Sequence, residues 1–118
     1  MASQKQQYTI LYGRLSQEDE RAGESNSILH QRELLESYAQ AKGFENTLFL
    51  ADDGYSGTNF DRPSWKKIIE MIEAGEVSTL IVKDTSRLGR EYLQVGSYME
   101  IYFPQKNVRF IAVNDGVD

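Results

Sequence analysis

Four arginines and one serine form the set of residues in this chain best suited to joint chemistry. Arg14 and Ser16 belong to Tyr12-Gly13-Arg14-Leu15-Ser16, Arg62 follows Asp61 just before Pro63, and Arg87 and Arg90 flank Leu88-Gly89. Guanidinium forks pair with phosphate oxygens and stay charged throughout a reaction, so this set suits a phosphodiester better than an acyl group. Such cations can stabilise the crowded negative charge of a pentacoordinate transition state, a task that magnesium performs in other enzymes. A serine oxygen attacking phosphorus gives a covalent ester of roughly the original energy, which a strand hydroxyl can later reverse. Cutting and rejoining on this scheme requires neither a metal nor a nucleotide cofactor.

Strands and helices must bring these residues together. The apolar run 8–12 reads as a strand buried on both faces, and residues 17–27 as a polar loop. Ile28, Leu34, Leu35, Tyr38 and Ala39 recur at helical spacing behind the candidate caps Asn26 and Ser27, with Lys42-Gly43 as the stop. Gln31 is a polar residue along that apolar stripe. A second strand is expected at 47–50, followed by a turn-forming stretch at 52–59. Asp61 and Pro63 open a helix carrying Trp65, Ile68, Ile69 and Ile72, which ends near Gly75. The run 79–83 is a third buried strand, breaking into a loop or short turn over 84–90. A further helix carries Tyr92, Val95, Met99, Tyr102 and Phe103 before Pro104, and a last strand spans 108–113, after which 114–118 trails off.

Alternating strands and helices imply right-handed βαβ units: an α/β fold of three layers, with a mainly parallel central sheet and helices on both faces. Ligands of open α/β sheets bind beyond the carboxyl ends of the strands. Strand one delivers Arg14 and Ser16 there, strand two Asp53 and the loop to Arg62, and strand three Arg87 and Arg90.

With 118 residues the chain fits one domain, 1–118, large enough to bury a core unaided. The absence of cysteine excludes disulfides, thiolate metal sites and cysteine nucleophiles. No run approaches the roughly 20 apolar residues that span a bilayer, and residues 1–7 lack a signal peptide's apolar core, so a cytoplasmic protein is expected, with no membrane partner. The formal charge of −5 and pI near 4.9 give an overall field that repels nucleic acid. Any DNA contact must therefore be local, with binding strength supplied by another part of a longer protein.

Taken together, the motifs resemble the catalytic domain of the serine recombinases, the resolvase/invertase family, over nearly the whole chain. Tyr12-Gly13-Arg14-Leu15-Ser16 is similar to the family's Tyr-x-Arg-x-Ser nucleophile motif. Ser27-Ile28-Leu29-His30-Gln31 resembles its Ser-Ile-x-x-Gln helix start. Asp53-Gly54-Tyr55-Ser56-Gly57 with Asp61-Arg62-Pro63 resembles its Asp loop and the arginine after it, and Ser86-Arg87-Leu88-Gly89-Arg90 its Asp-Arg-Leu-x-Arg segment. The wording of that last segment looks more like the large serine recombinases of integrases and mobile-element transposases.

The resemblance implies a resolvase-like, flavodoxin-like topology and a site-specific recombinase working through a 5′-phosphoserine. Ser16 would be the nucleophile, Arg14, Arg87 and Arg90 would hold the scissile phosphate, and Gln31, Asp53 and Arg62 would support them. It further implies double-stranded DNA at specific recombination sites as partner and a homodimer assembling to a tetramer on that DNA. A dimerisation helix and DNA-binding domains are expected after the catalytic domain. No cofactor is implied. The chain departs from the family pattern at Ser86, where an aspartate is usual; Asp84, two residues earlier, is the nearest carboxylate that could substitute.

A rival reading is a non-catalytic flavodoxin-like domain whose arginines bind a nucleotide or phosphorylated ligand. It explains the acidic pI but lacks a Gly-rich phosphate loop. Asp52, Asp53 and Asp84 read more simply as loop caps than as a metal cluster, His30 as an exposed helix residue, and Trp65 and the tyrosines as core.

Overall fold

The computed structural model describes residues 7–15, 27–53, 62–88 and 92–118. The order of elements is β1 (Tyr8–Leu15), α1 (Ile28–Lys42), β2 (Thr47–Asp53), α2 (Pro63–Glu73), β3 (Val77–Val82), the single turn α3 (Thr85–Leu88), α4 (Tyr92–Ser97), a π-helical segment (Tyr98–Tyr102), α5 (Phe103–Gln105) and β4 (Arg109–Ala112). The strands form one sheet in the order β2-β1-β3-β4, every pair parallel. This is the expected α/β architecture, with β1 inside the sheet.

Successive side chains of a strand point to opposite faces, and β1 uses both. Ile10 and Tyr12 join Leu80, Val82 and Phe110 in a core closed by Trp65, Ile68 and Ile72 of α2 and by Val95 and Phe103 of the later helices. Leu11 joins Ile81 and Ile111 in a second core closed by Leu35 and Ala39 of α1. Helices therefore cover both faces, which explains why β1 reads as a continuous apolar run instead of an alternating one.

Local chemistry sets the helix ends. The Ser27 hydroxyl accepts from the His30 N–H at 3.1 Å and starts α1, and Gly43, at a φ of 78°, ends it in the left-handed conformation. The buried stripe of α1 is Gln31, Leu35 and Ala39, so the one polar member sits at the end nearest the carboxyl edge of the sheet. Pro63 occupies the first turn of α2, where a missing N–H costs nothing. Pro104 has no N–H to continue an α-helical ladder, and ahead of it the Phe103 N–H reaches the Tyr98 carbonyl, five residues back.

Several boundaries differ from the sequence reading. β1 runs to Leu15 and β2 to Asp53, so Arg14, Asp52 and Asp53 lie in strands and not in loops. Polar residues ended those strands on paper, whereas here pairing continues from Tyr12↔Leu50 through Leu15↔Asp53. The segment 84–88 contains a helical turn. The tail is ordered as well: Val113–Asp115 forms a 3-10 turn, Val117 bridges back to Ala112, and Asp118 pairs with Arg109. Among the described residues no helix is long and apolar enough to cross a membrane.

The core assignment gives a contrast in stability. Trp65 is 1% exposed and its truncation to alanine should cost about 3–5 kcal/mol in urea unfolding. Leu93 and Ile101 are 76% and 55% exposed, and alanine at either should shift stability by no more than about 0.5 kcal/mol.

Candidate active site

β1 outlasts its partnership with β3. That pairing ends at Tyr12↔Val82, while the pairing with β2 goes on through Arg14↔Asp52. Beyond that point the main chain of Arg14 is met by a side chain. Its N–H donates to Gln31 Oε1 at 2.9 Å, and Gln31 Nε2 donates back to its carbonyl at 2.9 Å. An amide with one donor and one acceptor does here what a neighbouring strand would otherwise do. Gly13 makes the approach possible, because a Cβ there would stand 3.1 Å from Gln31 Oε1 and 3.2 Å from the Phe49 ring.

Around this strand end lie three arginines buried to 0%, 0% and 2% exposure: Arg14, Arg62 and Arg87. Each donates to at least one main-chain carbonyl of the same group. Arg14 Nε donates to the Arg87 carbonyl at 3.2 Å and Nη2 to that of Ser86. Arg87 Nη1 donates to the Arg14 carbonyl at 2.8 Å, and Arg62 Nη1 to the Arg87 carbonyl at 3.3 Å. Arg14 and Arg87 thus hold each other reciprocally, side chain to main chain. Burying a cation is costly unless hydrogen bonds replace its water, and these carbonyls are that replacement.

Arg62 has a second anchor. Its Nη1 donates to the Tyr12 hydroxyl at 3.0 Å, and its guanidinium lies 5.9 Å from the centroid of the Tyr12 ring and 5.6 Å from that of Trp65. The Tyr12 hydroxyl in turn donates to Asp52 Oδ2 at 2.7 Å. The Asp52 carboxylate also accepts the Ser64 N–H at 2.9 Å and the Trp65 N–H at 3.0 Å, capping α2 from β2. An anion at a helix N-terminus is favoured by the orphan N–H groups and the dipole. Burial pushes the Tyr12 hydroxyl well above the ordinary tyrosine range; Arg62 pulls the other way and Asp52 adds to burial.

The turn α3 is fixed at its start by Asp115, whose Oδ2 accepts from the Thr85 N–H at 2.7 Å and the Thr85 hydroxyl at 2.8 Å. The Asp84 carboxylate, just ahead of the turn, faces the side chains of Ser86 and Arg87. Its Oδ1 accepts from Arg87 Nε at 3.3 Å and from the Ser86 hydroxyl, and that hydroxyl accepts from Arg87 Nη2 at 2.9 Å.

Of the residues singled out from sequence, Arg14, Gln31, Arg62 and Arg87 come together at the carboxyl edge of β1. Asp53 ends β2 opposite Leu15 and is exposed. Ser16 and Arg90 lie outside the described residues; in the chain, Ser16 directly follows β1. His30 is exposed and Trp65 is core. The sequence reading gave no site role to Tyr12 or Asp52. Strand alternation puts Tyr12 on the face of Arg14, a usable signal; Asp52 was hidden because β2 seemed to end before it.

Fold and site define an α/β domain with a buried arginine cluster at the carboxyl edge of a parallel sheet. Residues 9–118 match the resolvase N-terminal domain, and the chain belongs to that family. The N-terminal catalytic domain of TP901-1 integrase superimposes with a TM-score of 0.82 at 27% identity, covering 95% of this chain and 81% of that one. The C-terminal catalytic domain of ISC1926 TnpA, an IS607-like serine recombinase, gives 0.72 at 26% identity, covering 90% and 67%. An uncharacterized immunity region protein 3 of Bacillus phage phi105 is 37% identical over 65 residues, 55% of this chain and 78% of that protein.

Gln31→Leu removes both bonds to the Arg14 main chain and should lower unfolding free energy by about 1–3 kcal/mol, with faster hydrogen exchange at the Arg14 amide. The raised Tyr12 favours the folded state in its protonated form. That contribution is complete below the ordinary value of 10.0 and is lost as pH rises past it. In an alkaline titration Tyr12 should ionise only with loss of structure, and Tyr12→Phe should remove one such late phenolate from the ultraviolet signal.

Proposed function

We propose that this chain is the catalytic domain of a site-specific DNA recombinase of the serine type, cleaving and rejoining strands through a 5′-phosphoserine on Ser16. The observation that carries this reading is the gathering of Arg14, Arg62, Arg87 and Gln31 around the last residues of β1, immediately before Ser16, in a chain of the resolvase N-terminal domain family.

Ser16 Oγ attacks the scissile phosphorus; the bond to the 3′ oxygen breaks and that oxygen leaves as a hydroxyl, taking up a proton. The phosphate stays joined to Ser16 at the 5′ end. In the second step a 3′ hydroxyl from the exchanged strand attacks the same phosphorus and returns the serine. Arg14, Arg87 and Arg90 hold the phosphate oxygens, and Arg62, Gln31 and Asp53 support them. Permanent guanidinium charge matches charge that grows in the transition state.

One site cuts one strand, so exchange across two duplexes takes four subunits, assembled from dimers on DNA. With a net charge of −5 the domain gathers little DNA by its overall field. Affinity for recombination sites then comes from DNA-binding domains that follow a dimerisation helix, as in an integrase-like large recombinase acting in the cytoplasm.

The intact protein, incubated with fragmented genomic DNA of its source organism and quenched in denaturant, should retain DNA on 5′ ends. After nuclease digestion, mass spectrometry should place a phosphonucleotide on Ser16. Ser16→Ala should abolish the adduct, and Arg87→Lys should slow its formation about 100-fold or more. An adduct persisting in Ser16→Ala would overturn the proposal.

A further inference from the structure

Asp84 and Ser86 stand as a hydrogen-bonded unit beside Arg87, where the sequence left open whether Asp84 makes up for the aspartate usual at 86. From their geometry we infer that Asp84 is a positioning residue, which sets the Arg87 guanidinium both directly and through the Ser86 hydroxyl. The inference rests on the reading of Arg87 as a phosphate-holding residue.

An aspartate at the start of a helical turn ordinarily caps that turn with its carboxylate. At this turn the N–H that such a cap would take, that of Arg87, goes to the Asp84 carbonyl at 3.0 Å, and the Thr85 N–H and hydroxyl go to Asp115. The Asp84 carboxylate is directed at Arg87 by two routes: the contact with Nε at 3.3 Å, and the relay in which Ser86 Oγ donates to Asp84 Oδ1 and accepts from Nη2 at 2.9 Å. Two N–H groups along one edge of the planar guanidinium are thereby held, and a planar fork held at two points cannot rotate about its stem.

The consequence extends beyond Arg87. Its Nη1 holds the Arg14 carbonyl, and its own carbonyl takes Arg14 Nε and Arg62 Nη1. Freeing the Arg87 guanidinium therefore also loosens its hold on the Arg14 carbonyl at the end of β1, while the bonds of Arg14 and Arg62 to the Arg87 carbonyl depend on the turn. Asp84 orients the group without touching the substrate.

The relay gives the inference a sharp test. A carboxylate placed at 86 would lie beside Arg87 Nη2 and could hold the guanidinium alone, but beside an intact Asp84 it would crowd two like charges. Asp84→Asn should slow single-turnover adduct formation about 10-fold or more, on DNA fragments recovered from the wild-type adduct, since it removes a charge-assisted bond at a reacting group. Ser86→Asp alone should also slow it, and the double variant Asp84→Asn with Ser86→Asp should recover to within about threefold of wild type, a non-additivity expected only of groups sharing one partner. The Arg87 Nε–Hε resonance of isotope-labelled protein, followed while inorganic phosphate is added, reports the same geometry without DNA. It should move in each single variant and return in the double. Full activity in Asp84→Asn, or a double variant no faster than Asp84→Asn, would overturn the inference. A wild-type protein that forms no adduct would instead sink the recombinase reading, and the resonance would still decide whether Asp84 orients Arg87.

Discussion

Burying three guanidiniums at one strand end is the constraint on which the rest of this structure depends. An arginine cannot shed its proton to escape a poor environment, so every buried N–H must find an acceptor. Here main-chain carbonyls at Arg14, Ser86 and Arg87 serve all three, beside the side chains of Tyr12, Asp84 and Ser86, and the folding of β1 and α3 determines where those carbonyls stand. Gln31 completes the end of β1, and Asp52 with Tyr12 holds the start of α2 and Arg62 together. The site and the fold at this edge are one hydrogen-bonded object.

The parallel sheet makes that object possible. Parallel strands end on the same side, and with β1 between β2 and β3 the carboxyl ends of the three strands lie side by side. β1 is also where the two cores meet, through Tyr12 on one face and Leu11 on the other. A site built there rests on the most constrained part of the domain, which suits groups that must be held within fractions of an ångström. Tyr12 belongs to both systems: its ring packs 5.5 Å from Trp65, and its hydroxyl bridges Arg62 and Asp52.

The architecture was legible in the sequence because it rests on periodicity and punctuation. Helical spacing in 28–39 and 65–72, Ser27, Gly43 and Pro63 at helix ends, and the apolar runs of the strands all depend on neighbours in the chain. Arg14, Gln31, Arg62 and Arg87 were legible by residue type and motif. What stayed hidden depends on pairing across distance. Nothing near Arg14 or Asp52 shows that β1 and β2 pair as far as Leu15 and Asp53, since a polar residue closes a strand as readily as it continues one. Hence Asp52 was read as a loop cap, although it does cap α2 from across the sheet edge. Asp84 was legible as the nearest carboxylate to Arg87, but a two-residue offset fixes no geometry, and only the folded turn shows its contacts with Arg87 Nε and the Ser86 hydroxyl.

The anchoring of Arg14 and Arg62 on the carbonyls of Ser86 and Arg87 has a consequence for how such a site can drift. A carbonyl is the same acceptor whatever side chain its residue carries, so what Arg14 and Arg62 require of positions 86 and 87 is the direction of the chain. Substitutions that keep the turn keep those two anchors, while a proline that bends it loses them without altering a single charged group. Side-chain identity is demanded only where a side chain is itself the contact, as at Asp84, Ser86 and Arg87. The anchors of Arg14 and Arg62 are thus tied to the shape of the turn, and the orientation of the Arg87 guanidinium to its side chains.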